Sequence, residues 1–540
     1  MVDYGTSRER SGQVKPIVAI FLTLIAIPIV RADSGPIVTV TGGQVRGATL
    51  QQGGAVFKGI PYAQPPIGDL RWREPMPIKP WHGLRDAAEF GAICAQGPRL
   101  IRNQARSSED CLFLNVWTPE WPSKSRKPVM VSIPGGGNFG GGSSGSFFNY
   151  DGEPLARHGV VIVTLNYRVA EFGFFSHPAL TRESAHHASG NQGILDQIAA
   201  LRWVRDNIAK FGGDPSKVTI FGESSGSLDV SVLMTSPLSK GLFQRVIGES
   251  GAVVLAGDPS DRNTSMPLTL KQAEERGEKF AATWKLPAAA STHELRAISA
   301  GEIISAEPNY FAAAAPNLGI TVDGYVFPNA PAAVFAAGHE QRVALLLGSN
   351  AREESPSGSR PKDLTKGIQD GYGPLAKQAQ ALYTGTDPLY GTPDDQWATD
   401  TSFRCASVAQ LLWHFAAGNP AFEYEFSRVP VGRDAVGATH ASELSYVFGT
   451  LDRGIAVLGG PPPGEPTAVD RQTSEAMQQY WTNFAKTGDP NDSALPKWPK
   501  FEGSMRAYLQ FTDAGPVPKE GLRRPFCDLF IEHVKRLMAH

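Results

Sequence analysis

Lys217-Val218-Thr219-Ile220-Phe221-Gly222-Glu223-Ser224-Ser225-Gly226 is the stretch on which the reading of the fold turns. Its first half is short, β-branched and apolar, the pattern of a strand buried on both faces. Its second half is G-x-S-x-G, and it leads into the amphipathic run LDVSVLM of residues 228–234. Strand, tight turn and helix in that order make a nucleophile elbow. The turn is so tight that its flanking positions must be small, and it lifts the Ser224 hydroxyl above the carboxyl edge of a sheet. The pattern alone arises by chance in a chain with 57 glycines, and Gly141-Gly142-Ser143-Ser144-Gly145 matches it as well. No strand runs into that second match and no helix leaves it, so Ser224 rather than Ser143 is read as the nucleophile.

Outward from the elbow the same alternation repeats. PVMVSI (128–133), GVVIVTLNY (159–167) and RVALLLG (342–348) read as further strands apolar on both faces. Residues 191–211 read as a helix stopped by Gly212-Gly213-Asp214-Pro215. Alternating strands and helices predict an α/β architecture around a mostly parallel sheet. No linker divides the chain, so residues 33–540 are expected to form one domain with large loop insertions, although length alone would allow three or four. Net charge is −2, from 51 basic and 53 acidic side chains, and 41% of residues are hydrophobic. These values argue against a disordered chain or a polybasic nucleic-acid binder.

Arg8, Arg10 and Lys15 precede a fifteen-residue apolar run, Pro16 to Val30, that ends in Val-Arg-Ala. The run is shorter than the ~20 residues of a membrane span. It reads as a secretory signal over residues 1–32, cleaved after Ala32, with a membrane anchor as the competing reading. The mature chain is then exported, periplasmic or secreted, and free of the membrane. Four cysteines, Cys94, Cys111, Cys405 and Cys527, suit an oxidising compartment. Paired in chain order they would close one short and one long loop, each stabilising by about 3–5 kcal/mol; four buried thiols are the alternative. Their spacing does not suggest a metal site.

A serine needs a base to take its proton and donors to receive the oxyanion. The strand PVMVSI runs into Pro134-Gly135-Gly136-Gly137-Asn138. Such a glycine run would bring backbone N–H groups beside the elbow, so Gly136, Gly137 and Ser225 are the expected donors.

Several further motifs stand along the chain. They are Phe57-Lys58-Gly59-Ile60-Pro61-Tyr62-Ala63, Gly68-Asp69-Leu70-Arg71, Ser108-Glu109-Asp110-Cys111-Leu112-Phe113-Leu114-Asn115-Val116, Asn166-Tyr167-Arg168, Gly190-Asn191-Gln192-Gly193 and Phe211-Gly212-Gly213-Asp214-Pro215. With the elbow, these resemble the type-B carboxylesterase/lipase (cholinesterase-like) family from about Gly35 to Phe526. The resemblance implies an α/β-hydrolase fold, a serine esterase acting through an acyl-enzyme, disulfides Cys94–Cys111 and Cys405–Cys527, and salt bridges Arg71–Glu109 and Arg168–Asp196. Triad members follow the serine in the order acid, then histidine. The family's N-x-x-E pattern after the strand ALLLG places the acid on Glu353, with adjacent Glu354 as its rival. The family's histidine loop falls on His440, while His414 in LLWHF reads as a packing residue. Glu223 resembles a carboxylate that modulates the site. The mechanism calls for no metal and no organic cofactor.

Two departures from the family bear on substrate. Relatives commonly carry His or Tyr before the three glycines and an aromatic after them; here stand Pro134 and Asn138, which predict a more polar acyl wall. The loop between Cys94 and Cys111 holds no aromatic residue, which argues against a choline ester. It carries Arg99, Arg102 and Arg106 instead, groups that would attract carboxylates if the loop borders the gorge mouth. The expected substrate is a small ester whose acid part bears extra free carboxylates. A general carboxylesterase or lipase for neutral esters is the alternative, and a cholinesterase-like binding protein without catalysis a second. Asn263-Thr264-Ser265 and Asn491-Asp492-Ser493 are glycosylation sequons.

Overall fold

Each strand beside the elbow has both faces buried, because alternate side chains meet different helix layers. A computed structural model describes residues 35–98, 101, 105–144, 148–253, 267–306, 320–353, 363–455 and 460–539. The segment read as a signal, together with Arg99, Arg102, Glu354 and Asn263, lies outside them. The strands of the main sheet are β1 (Ala48–Thr49), β2 (Ala55–Pro61), β3 (Phe113–Thr118), β4 (Lys127–Ile133), β5 (Val161–Leu165), β6 (Gly213–Glu223), β7 (Arg245–Glu249), β8 (Ala344–Asn350), β9 (Ala421–Phe426), β10 (Ala507–Thr512) and β11 (Gly515–Glu520). Their spatial order is β11-β10-β9-β8-β7-β6-β4-β5-β3-β2-β1. From β10 across to β5 every neighbour is parallel. Beyond β5, strands β3, β2 and β1 add antiparallel, and β11 pairs antiparallel with β10 at the other edge.

The helices that matter for the site are α1 (Gln192–Asn207), α2 (Ser225–Leu233), α3 (Cys405–Ala416), α4 (Ala468–Thr487) and α5 (Arg524–Met538). Val129, Val131 and Ile133 of β4 share one core with Ile194, Ile198 and Leu201 of α1. Met130 points the other way, into a second core with Met477, Tyr480, Trp481 and Phe484 of α4. This period-two division explains why β4, β5 and β6 read as continuous apolar runs, each fully buried aliphatic side chain contributing about 1.5–3 kcal/mol.

The expected helix over 191–211 ends earlier, at Asn207, and tightens into a 3₁₀ turn, Ile208–Phe211, before Gly212 at φ 83°. The strand of the elbow begins earlier than its apolar pattern, at Gly213, because Gly213 already pairs with Lys127. Both disulfides pair as the resemblance implied, Cys94–Cys111 and Cys405–Cys527. Both implied salt bridges are present, Arg71–Glu109 at 2.6 Å and partly buried, Arg168–Asp196 at 2.7 Å and buried. Among the described residues no helix is long and apolar enough to cross a membrane. Asn491 has its amide tied to Asp489 and to the Trp498 carbonyl.

Candidate active site

Gly222 and Gly226 show why the elbow must be built from small residues. A Cβ on Gly226 would lie 2.2 Å from the Ile133 carbonyl oxygen, and one on Gly222 would lie 2.6 Å from the Gly226 backbone. The turn closes tightly against the end of β4. Ser224 is left at φ 59°, ψ −126°, a conformation rare for a side-chain-bearing residue. Its N–H donates to the Glu249 carbonyl at 2.8 Å, and its own carbonyl accepts from Leu228 N–H at 3.0 Å, starting α2.

Three segments distant in sequence meet here. His440 Nε2 stands 2.8 Å from Ser224 Oγ, and His440 Nδ1 stands 2.7 Å from Glu353 Oε2. The carboxylate is fixed from behind, because Asn350 N–H donates to Glu353 Oε1 at 2.6 Å. The two loops are also bound to each other through the backbone. His440 N–H donates to the Glu353 carbonyl at 3.0 Å, Arg352 N–H to the Ala438 carbonyl at 2.9 Å, and Asn350 Nδ2 to the Thr439 carbonyl at 2.8 Å. The Phe403 ring lies 4.7 Å from the imidazole, centre to centre. It is carried on a π-helical turn, Asp400–Arg404, a wider winding often found at functional sites.

Glu223 places Oε1 3.2 Å from His440 Nε2. It is one of four buried carboxyls under the site, with Glu249, Glu353 and Glu443. Burial raises Glu223 well above the usual carboxylate range; charged His440 opposes this, and Glu443 and Glu353 add to it. Glu443 is pushed up to about 7 by burial and then by Glu353, against an Asn350 hydrogen bond. Glu249 is raised well above its ordinary value by burial and by Glu443, although it accepts from Trp481 Nε1 at 2.8 Å. Burial, and then like charges packed this closely, favour the protonated carboxyl at Glu223, Glu249 and Glu443.

The glycine run lies against the elbow. A Cβ on Gly135 would stand 3.1 Å from Ser224 Cβ, and Asn138 N–H donates to Ser225 Oγ at 3.2 Å. Gly136 and Gly137 have φ 127° and 66°, and neither N–H donates to another group among the described residues. Asn138 corrects one expectation. Its side chain does not line a pocket; it is 2% exposed, with Nδ2 on Asp229 Oδ1 at 3.1 Å and Oδ1 accepting from the Tyr167 hydroxyl at 2.9 Å. The polar replacement of an aromatic therefore serves the loop's own anchoring.

Ser143, the second match to the elbow pattern, is a structural residue. Its N–H and hydroxyl donate to Asn166 Oδ1 at 2.8 and 2.9 Å. His414 is a packing residue held between Glu340 and the Val343 carbonyl, both at 2.9 Å. Of the three loop arginines, Arg106 is described and exposed. The base of its loop touches the glycine run: Gln96 Nε2 donates to the Gly141 carbonyl at 2.9 Å and Gly141 N–H donates to Gln96 Oε1 at 2.8 Å. Sequence reasoning gave no role to Asp229, Glu249, Asn350 or Phe403. The one signal for Asp229 was a carboxylate in an otherwise apolar helical run.

The carboxylesterase family model matches residues 34–369 and 392–530. The chain belongs to the carboxylesterase family. Among relatives, fumonisin B1 esterase of Sphingopyxis macrogoltabida is 35% identical over 463 residues, covering 83% of this chain and 81% of that protein. Para-nitrobenzyl esterase of Bacillus subtilis (strain 168) is 35% identical over 501 residues, covering 88% and 94%. Carboxylesterase 1E of Mus musculus is 34% identical over 549 residues, covering 91% and 93%. A solved PNB esterase structure superposes with a TM-score of 0.79 at 31% identity, covering 92% of this chain and 99% of that one. This carboxylesterase has the α/β-hydrolase fold and is a serine hydrolase acting on carboxylic ester bonds.

Proposed function

We propose that this carboxylesterase works in two steps through an acyl-enzyme on Ser224. His440 takes the Ser224 proton as the hydroxyl attacks the ester carbonyl, and gives it to the departing alcohol. Water then attacks the acyl-enzyme by the same route in reverse. Glu353 holds the imidazole in the tautomer that accepts at Nε2 and stabilises the imidazolium. Gly136, Gly137 and Ser225 N–H groups receive the oxyanion, each such donor contributing about 3–4 kcal/mol to the transition state. The observation carrying this reading is the imidazole bridging Ser224 Oγ at 2.8 Å and the Glu353 carboxylate at 2.7 Å. A fluorophosphonate should label Ser224 alone, and Ser224→Ala should lower kcat by about 10⁴-fold or more. Near-normal turnover in that variant would remove the serine from the mechanism.

We further propose export, with a signal over residues 1–32, and an acidic ester as substrate. Two disulfides support the first. Support for the second is the basic, aromatic-free loop whose base bonds to Gly141, together with a relative named for fumonisin B1. A fumonisin-type ester of a polycarboxylic acid is the probe. Replacing Arg99, Arg102 and Arg106 together by Ala should lower kcat/KM for a polycarboxylate ester about tenfold or more, and leave a neutral ester unchanged. Relatives named carboxylesterase 1E and para-nitrobenzyl esterase favour a second reading, a general esterase for neutral substrates. Equal losses on both esters would select it.

A further inference from the structure

Asp229 is a fully buried carboxylate one and a half turns beyond the nucleophile, and the mechanism above does not use it. Its surroundings come from four separate elements. Asn138, on the loop after β4, donates Nδ2 to Asp229 Oδ1 at 3.1 Å. Gln197 of α1 donates Nε2 to Asp229 Oδ2 at 2.6 Å. Tyr167, just past β5, sets its hydroxyl between Asn138 Oδ1 at 2.9 Å and the Pro134 carbonyl at 3.0 Å. Asp229 itself rides on α2, whose first residue is Ser225, and Asn138 N–H closes the ring onto Ser225 Oγ at 3.2 Å. Both halves of the oxyanion hole are thus tied to one side chain: the glycine run through Asn138, and the Ser225 amide through the helix that Asp229 shares.

We propose that Asp229 is a positioning residue for the oxyanion hole, acting through Asn138 to hold the Gly136 and Gly137 amides at a fixed distance from Ser224. The physical reason for a carboxylate is acceptor count. Two donors from opposite sides, Asn138 and Gln197, need two acceptor oxygens on one short side chain, and a carboxylate supplies both. Asn138 stands in the left-handed region at φ 62°, and the grip of Asp229 on its amide adds to the bonds that Ser225, Tyr167 and Ala170 make with it. Burial works against the arrangement. It pushes the Asp229 carboxyl up to about 7, even with donors from Asn138, Gln197 and Tyr167 opposing the shift. A carboxyl buried at such cost beside a reacting centre is a common mark of function.

The inference rests on the esterase reading, and the two fail separately. Enzyme is first titrated with a fluorophosphonate, and kcat for p-nitrophenyl acetate is expressed per labelled Ser224. Absence of labelling in the parent enzyme would sink the esterase reading itself. Asp229→Ala should lower kcat per labelled serine by about 10- to 100-fold with little change in KM, because amide placement matters in the transition state and not in substrate binding. Affinity for a trifluoromethyl ketone, whose adduct carries the oxyanion, should fall in parallel. Asp229→Asn keeps one oxygen for Asn138 and should stay within about fivefold of the parent. Asn138→Gly, which suits the backbone angle and leaves Asp229 in place, should lose as much as Asp229→Ala, and the double variant should lose no more than either. A purely structural role would lower the melting temperature while leaving kcat per labelled serine intact. That result, or additive losses in the double variant, would overturn the proposal.

Discussion

At Ser224 the backbone is held at φ 59°, which costs of the order of 1–3 kcal/mol and persists because the surroundings over-determine it. Beneath it the chain buries carboxyls that would be more stable in water, and Asp229 shows what this does to pH dependence. Folding raises its carboxyl from 3.8 to about 7, so between those values the native chain binds more protons than the unfolded one. Stability from this group is greatest below the unfolded value, falls as pH rises through the window, and is level above about 7. Asp229→Asn has no charge to bury, and a flipped Gln197 offers the new amide an acceptor, since Gln197 Oε1 has no partner among the described residues. The expected outcome is a melting temperature above the parent's at pH 8, with the gap narrowing at pH 5. Differential scanning calorimetry at the two pH values measures it, and a gap that widens on acidification would mean the opposite sign of linkage. Glu443, also near 7, adds to the same trend in both proteins and cancels from the difference.

Strand and turn together decide whether those residues meet. The end of β4 and the start of α2 meet at Gly226 with no room for a methyl group, because its Cβ would lie 2.2 Å from a backbone oxygen that cannot rotate away. Gly226→Ala should therefore push the elbow off the glycine run, lowering kcat per labelled serine by about 10²-fold and stability by about 1–3 kcal/mol. Urea midpoints and titrated rates check both. A variant destabilised but fully active per site would mean that the elbow can shift without moving the amides. This element was readable in advance because its signal is local: β-branched strand, glycine, serine, glycine, helix. The parallel strands β4, β5 and β6 were readable for a similar reason, burial on both faces leaving continuous apolar runs. Glu353 and His440 needed the family pattern, since nothing in their immediate neighbours says that they meet. Asn138 was misread as a pocket wall, and Asp229 went unread, because each is defined by partners from elsewhere: Asn138 by Asp229 some ninety positions on, and Asp229 by Gln197 on a different helix.

Across the whole molecule, two disulfides close loops of very different length, and the site responds to them differently. Cys405–Cys527 spans 122 residues and Cys94–Cys111 spans 17, so loop-closure entropy assigns them about 5 and about 3 kcal/mol respectively. The long one joins α3 to α5 just behind the π-helical turn that carries Phe403. That turn has a second restraint, because Asp400 pairs with Arg404 and with Arg523 beside α5. Removing the long bridge by Cys405→Ala with Cys527→Ala should cost the larger drop in melting temperature yet leave kcat per labelled serine at 25 °C within about twofold, the buried ion pairs holding the turn. The short bridge has the opposite profile. It closes the loop whose Gln96 exchanges two hydrogen bonds with Gly141, four residues past Gly137, a proposed oxyanion donor. Cys94→Ala with Cys111→Ala should cost less stability and more activity, because loosening that loop frees the far end of the glycine run. Parallel melts and titrated rates on the two double variants decide the matter. If activity follows stability in the same order for both, the loop does not support the amides, and the catalytic geometry depends only on the sheet.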